Sequence, residues 1–123
     1  MIRIIKCDFN NPFHNQKVIQ LLDAYMQDPM GGGRPMPEYT RANLINGLSN
    51  HPSAFVLFAL KDDDFTGMIT CFINFSTFKA KPFINVHDIV VLKAYRGLGI
   101  GRAMLEEVIR MSVDNDYGKS PWR

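Results

Sequence analysis

Residues 84–105 read INVHDIVVLKAYRGLGIGRAML, and no other stretch constrains the fold as sharply. Ile84, Val86, Ile89, Val90 and Val91 make a β-branched run suited to a buried strand. Glycines then recur at Gly97, Gly99 and Gly101. From Arg102 onward, Met104, Leu105, Val108 and Ile109 fall at helical intervals. The stretch therefore predicts a strand, a glycine-rich turn and a helix in succession. Glycine permits a tight turn and a close approach of backbone to a ligand. A helix N-terminus presents unpaired N–H groups and roughly half a positive charge, which suits a phosphate.

The spacing selects among the folds that bind phosphate in this way. A dinucleotide fold needs G-x-G-x-x-G/A, and the last position is Arg102 counted from Gly97 and Met104 counted from Gly99. The chain has no room for a second strand with an acidic residue about twenty positions on. The Gly-Lys-Ser/Thr of a Walker loop is absent. What fits is Q/R-x-x-G-x-G/A, as Arg96-Gly97-Leu98-Gly99-Ile100-Gly101. With its apolar strand before and Ala103-Met104-Leu105 after, this segment resembles the acyl-CoA-binding motif of the GNAT family of N-acetyltransferases.

The remaining composition narrows the field. A chain of 123 residues makes one small domain, 1–123, able to bury a single core. Fourteen basic residues against twelve acidic ones give no electrostatic case for nucleic acid or an anionic membrane. No apolar run approaches the roughly twenty residues of a membrane span. Cys7 and Cys71 make neither a disulfide framework nor a metal spacing, which predicts a reducing cytoplasm.

In chain order, alternation predicts a strand over 2–7, and Asn11-Pro12 opens a helix carrying Val18, Leu21, Leu22 and Tyr25 to about Met26. His14 reads as a solvated residue of its first turn. Neither helix nor strand can cross residues 29–37, PMGGGRPMP. They are either a plain loop or a rim over a substrate, with Arg34 available to an anionic group. A second helix begins near Pro37, with Leu44, Ile45 and Leu48 inward, and ends near His51, which reads as structural and exposed. Residues 53–60 make a strand covered on both faces. Asp62-Asp63-Asp64 turns the chain and lacks the spacing of a calcium loop, and residues 65–76 return. The fold class is α+β, three layers α/β/α around a mixed, mostly antiparallel sheet.

The resemblance implies roles. Acetyl-CoA is the implied cofactor and a primary amine, small or on a peptide, the implied acceptor. The amides of residues 97–101 would meet the pyrophosphate, with charge from Arg96; Arg102 either adds to it or is a solvated helix residue. The backbone of Ile89, Val90 and Val91 would hold the pantetheine arm and the thioester oxygen, and the loop bearing Arg34 would line the acceptor side. His87 and Asp88 are polar residues within an apolar strand. His87 is the candidate base, its ordinary pKa near 6.5 suiting the task, or else it bonds the neighbouring strand. Asp88 is expected on the opposite face. No tyrosine matches the family's proton donor.

After about Val113 the family continues with a strand, a helix and two more strands. This chain has no apolar run to supply them, and Pro121 argues against a strand. It therefore reads as lacking roughly the last quarter of the family's domain. Residues 83–92 would then form a bare sheet edge, and a homodimer is expected to cover it. The alternatives to an acetyltransferase are a non-catalytic acyl-CoA-binding or assembly module and a nucleotide-binding fragment.

Overall fold

The structure, a computed structural model, describes residues 1–119. Four strands form one sheet in chain order: β1 (Ile2–Lys6), β2 (Ala54–Lys61), β3 (Asp64–Ser76) and β4 (Lys81–Val91). Helices α1 (Pro12–Gln27) and α2 (Glu38–Asn50) connect β1 to β2, and α3 (Ile100–Asp114) follows β4. Each strand runs antiparallel to its neighbour, so over the described strands the sheet is antiparallel throughout, in keeping with the mostly antiparallel sheet expected.

β2 feeds both faces of the sheet. Phe55, Leu57 and Ala59, with Ile69 and Cys71 of β3, pack against Ile100, Met104 and Val108 of α3. Val56, Phe58 and Leu60, with Met68 of β3, pack against Val18 and Leu21 of α1. The three-layer α/β/α arrangement follows from this alternation. α2 buries no residue fully; Leu44, Ile45 and Leu48 are half-buried against the α1 face.

Local signals account for the connections. Asn11 Oδ1 accepts from the N–H groups of Phe13 (2.9 Å) and His14 (3.3 Å), and Pro12 opens α1. Asp62 and Asp63 adopt φ of 51° and 73°, the left-handed pair that a two-residue hairpin needs. His14 departs from its predicted solvated state. It is half-buried, accepts from the Asp8 N–H at 2.9 Å, and meets the Phe58 ring edge-on at 5.4 Å. It fixes the β1–α1 corner. Segment 29–37 contains a 3-10 turn, Pro29–Gly31, capped by the Asp28 carboxylate on the Met30 N–H (3.0 Å).

One irregularity in β4 shapes everything downstream. Val86 pairs with Cys71 and Asp88 with Thr70, so His87 is the extra residue of a β-bulge. Before it, Ile84 and Val86 face α3; after it, Val90 faces α1. A period of two without the bulge would have put all of them on one side.

β4 is a terminal strand of the sheet. Beside its beginning, the Gly118 N–H donates to the Pro82 carbonyl (2.8 Å) and Lys81 pairs with Asp116 at 3.2 Å. Pro121, read against a further strand, lies outside the described residues.

Candidate functional site

The end of β4 and the start of α3 form one wall of a groove. Leu92 N–H donates to the Thr66 carbonyl at 2.9 Å, which sets the alternation along the ladder. Val90 is thereby directed at its partner Met68, while the backbone groups of Ile89 and Val91 face away from β3. Of the three residues expected to hold a pantetheine arm, Ile89 thus presents both polar groups to the groove and Val91 its N–H, the Val91 carbonyl being taken by Arg96 Nε at 3.1 Å. Val90 spends its own in the sheet, and its side chain is buried against α1.

The glycine turn is built as its spacing implies. Gly97 and Gly99 hold φ of 81° and 83°, and a Cβ on either would meet nothing within 4 Å. Conformation, rather than space, is what requires glycine there. Gly101 differs: it is helical, and its missing Cβ would lie 3.8 Å from Ile89 Cδ1 and Val91 Cγ2, in the seam between α3 and β4. No side chain caps α3, and the first amide to bond within the helix is that of Ala103, to the Gly99 carbonyl at 3.0 Å. The amides of Ile100, Gly101 and Arg102 have no such partner and open on one side, as an anion site requires. The Ile100 side chain is core, so only its backbone can serve a ligand; Leu98 and Arg102 are exposed.

Arg96 is engaged, where it was expected to be available to phosphates. Its Nε donates to the Val91 carbonyl at 3.1 Å and its Nη2 to Asp28 Oδ2 at 2.9 Å. The Met30 N–H and then the Arg96 guanidinium hold the Asp28 carboxyl below the usual carboxylate range. Asp28 thus straps the loop after α1 to the turn before α3. A cavity of about 400 Å³ lies at this strap, between Tyr25, Asp28 and Pro29 on one side and Val91 and Arg96 on the other.

A second cleft, also about 400 Å³, opens on the α1 face of the sheet. His87 and Asp88 both line it. Asp88 was expected on the opposite face; the bulge turns it to the same side. Among the described residues neither side chain has a hydrogen-bond partner, so His87 does not bond the neighbouring strand. Its ring is exposed and stands edge-on to Phe72 at 5.6 Å. A base and a carboxylate thus converge where the strand opens.

The sequence of the chain matches the model of the acetyltransferase (GNAT) family over residues 16–120. The chain belongs to that family. As a GNAT acetyltransferase it keeps the family's fold with little sequence in common with solved members. A ribosomal-protein-alanine N-acetyltransferase from Brucella melitensis biovar Abortus 2308 shares 17% identity, with a TM-score of 0.75 over 97% of this chain and 76% of that one. An aminoglycoside acetyltransferase from an uncultured soil metagenomic sample, solved with sisomicin, shares 19%, with a TM-score of 0.76 over 95% and 73%. A transcriptional regulator from Bacillus halodurans C-125 shares 14%, with a TM-score of 0.75 over 100% and 85%.

Two site residues of this GNAT chain escaped sequence reasoning. Tyr25 borders the strap cavity, the second cleft and a third recess at Ile89, so it stands where the three meet. Its position in the apolar repeat of α1 marks it only as core. Asp28, followed by proline, carries the signature of a cap, and nothing local shows that its other oxygen holds Arg96. Arg34, expected at a substrate rim, is exposed, and its N–H donates to the Met26 carbonyl at 3.1 Å; Met26 lines the second cleft, and Arg34 itself does not.

Proposed function

We propose that this chain moves an acetyl group from acetyl-CoA to a primary amine by direct transfer. One observation carries the reading: the outward backbone of Ile89 and Val91, the uncapped start of α3, and the His87–Asp88 cleft adjoin one another around a single strand end. Acetyl-CoA would supply an acyl group already activated as a thioester: the C–N bond forms as the C–S bond breaks, and CoA would leave as a thiolate that takes its proton from solvent. Ile89 and Val91 extend the backbone edge along which an amide-bearing arm can pair. The amides of residues 100–102 and the turn at Gly97 and Gly99 receive its pyrophosphate. His87 takes the proton from the incoming ammonium, directly or through a water, and Asp88 beside it favours the cation formed.

No thiol of the chain competes as a covalent carrier. Burial pushes Cys71 up to about 12, and burial with the Asp8 charge pushes Cys7 up to about 11. Both are buried and free, which supports a reducing, cytoplasmic setting. No helix among the described residues is long and apolar enough to cross a membrane.

Calorimetry with CoA and NAD tests the donor, and acetyl-CoA turnover with a panel of amines tests the transfer. CoA should bind and NAD should not. Gly101→Val, whose methyls would fill the seam beside Ile89 and Val91, should abolish CoA binding with the far-UV spectrum unchanged. Undiminished affinity in that variant would remove the turn from the site. Binding without turnover of any amine would leave an acyl-CoA-binding module instead.

A further inference from the structure

The acceptor cleft is apolar to a degree that selects among amines. Leu22 and Met26 of α1, Leu44 and Leu48 of α2, and Met68 and Phe72 of β3 line it. Its polar lining includes Thr40, Thr70, His87 and a single carboxylate, Asp88. An amine held by several cationic groups needs several carboxylates, because each desolvated ammonium without a partner is costly.

Two carboxylates close to the cleft are already committed. Asp23 accepts from the Met36 N–H at 2.8 Å and pairs with Arg41 at 3.0 Å. Asp28 is held by Arg96. Arg34, whose N–H bonds the Met26 carbonyl, is exposed and has no ion pair among the described residues, so it offers no negative charge to an amine either. A polycation entering the cleft therefore meets one negative group in its lining. A monoamine with an apolar body meets a surface that rewards burial, about 25 cal/mol for each Å² removed from water. Its one ammonium finds the one carboxylate.

We infer that the acceptor is a small primary monoamine with an aromatic or aliphatic body, excluding polyamines and aminoglycosides. The body lies between α2 and the Met68–Phe72 side of β3, and the amino group lies at His87 and Asp88. Phe72, with His51 edge-on at 4.9 Å on one side and His87 on the other, forms a short aromatic wall suited to a flat body. This inference rests on the acetyltransferase reading for its catalytic readout. The choice of body, however, is also measured by binding alone.

Two measurements on the full chain decide it. In steady-state kinetics with acetyl-CoA, 2-phenylethylamine should show a KM at least tenfold below those of spermidine and sisomicin. Saturation-transfer NMR without cofactor should show 2-phenylethylamine contacting the protein through its ring, and no transfer to spermidine. Thr40→Asp adds a carboxylate to the cleft at the first turn of α2, where a negative charge suits the helix. It should lower the KM for spermidine severalfold and leave that for 2-phenylethylamine no better. Leu44→Asp should abolish the ring signal; if that variant unfolds, Thr40→Asp still reads the same wall. A lower KM for spermidine or sisomicin in the unmodified chain overturns the inference, and so does absence of the ring signal. A ring signal without turnover upholds the cleft assignment while refuting the transfer reaction. Failure of CoA to bind refutes the donor reading alone.

Discussion

His87 owes its position to a pairing defect in the ladder. As the unpaired residue of a bulge it is exposed, with its ring edge-on to Phe72 at 5.6 Å. A substitution there costs little packing, so rate and stability separate cleanly. His87→Gln should lower kcat about a hundredfold, the lower end of what general-base removal produces. It should also leave the melting temperature almost unchanged. A drop in melting temperature with turnover intact would return His87 to the scaffold. The residue types His87 and Asp88 were visible as polar interruptions of an apolar strand. Their common face was not, because side-chain direction depends on how β3 pairs with β4, and the inserted residue reverses the parity of everything after it. The same holds for Arg96: its charge is plain in the sequence, but its engagement joins residues 68 positions apart.

At the scale of elements, the loop after α1 is more exacting than its string of glycines implies. A Cβ on Gly31 would sit 1.9 Å from the Tyr25 carbonyl oxygen, while one on Gly33 would meet nothing. Gly31→Ala should therefore cost on the order of 2–3 kcal/mol, the penalty of forcing atoms into filled space, read as a lower denaturation midpoint. Gly33→Ala, strained only by its φ of 72°, should cost less, and an equal loss would show that packing at Gly31 is no special constraint. Three glycines in a row look alike in sequence; Gly31 is required by its packing on the helix end, and Gly32 and Gly33 by φ of 110° and 72°. The capping of this loop by Asp28 also has a pH signature. Its folded carboxyl titrates below its unfolded value, so its contribution is complete above about pH 4 and fades as pH falls through the lowered value. Asp28→Asn should flatten that part of the acid-stability curve relative to the parent. Parallel curves for the two proteins would show that Asp28 contributes nothing there. The strand–turn–helix unit, by contrast, was fully legible, because its signals are local: β-branched residues, glycines at fixed spacing and an apolar stripe.

Across the whole molecule, β4 closes one side of the sheet, and the adjoining surface is apolar. Phe75 and Phe78 of the β3–β4 hairpin are 62% and 101% exposed, and Ile89 is 38% exposed. Such an edge invites pairing with a second copy of the chain. Sedimentation at micromolar concentration should therefore return the mass of a dimer, and a clean monomer that still binds CoA would dispose of that expectation. The contact between Arg96 and Asp28 matters at this scale as well, since it joins the layer that carries the acceptor cleft to the turn that begins the opposite layer. A phosphate arriving at that turn competes for the same guanidinium. Loss of Arg96 leaves the Asp28 Oδ1 cap on the Met30 N–H in place but frees the other oxygen, beside the loop bearing Gly31 that borders the proposed acceptor cleft. On that proposed reading, donor and acceptor would be thermodynamically linked, and linkage is reciprocal: each would alter the other's affinity by the same factor. Titrating CoA with and without amine, and amine with and without CoA, should give one factor from both directions. In Asp28→Asn that factor should collapse to unity; its survival would mean that the two spaces communicate by some route other than this ion pair.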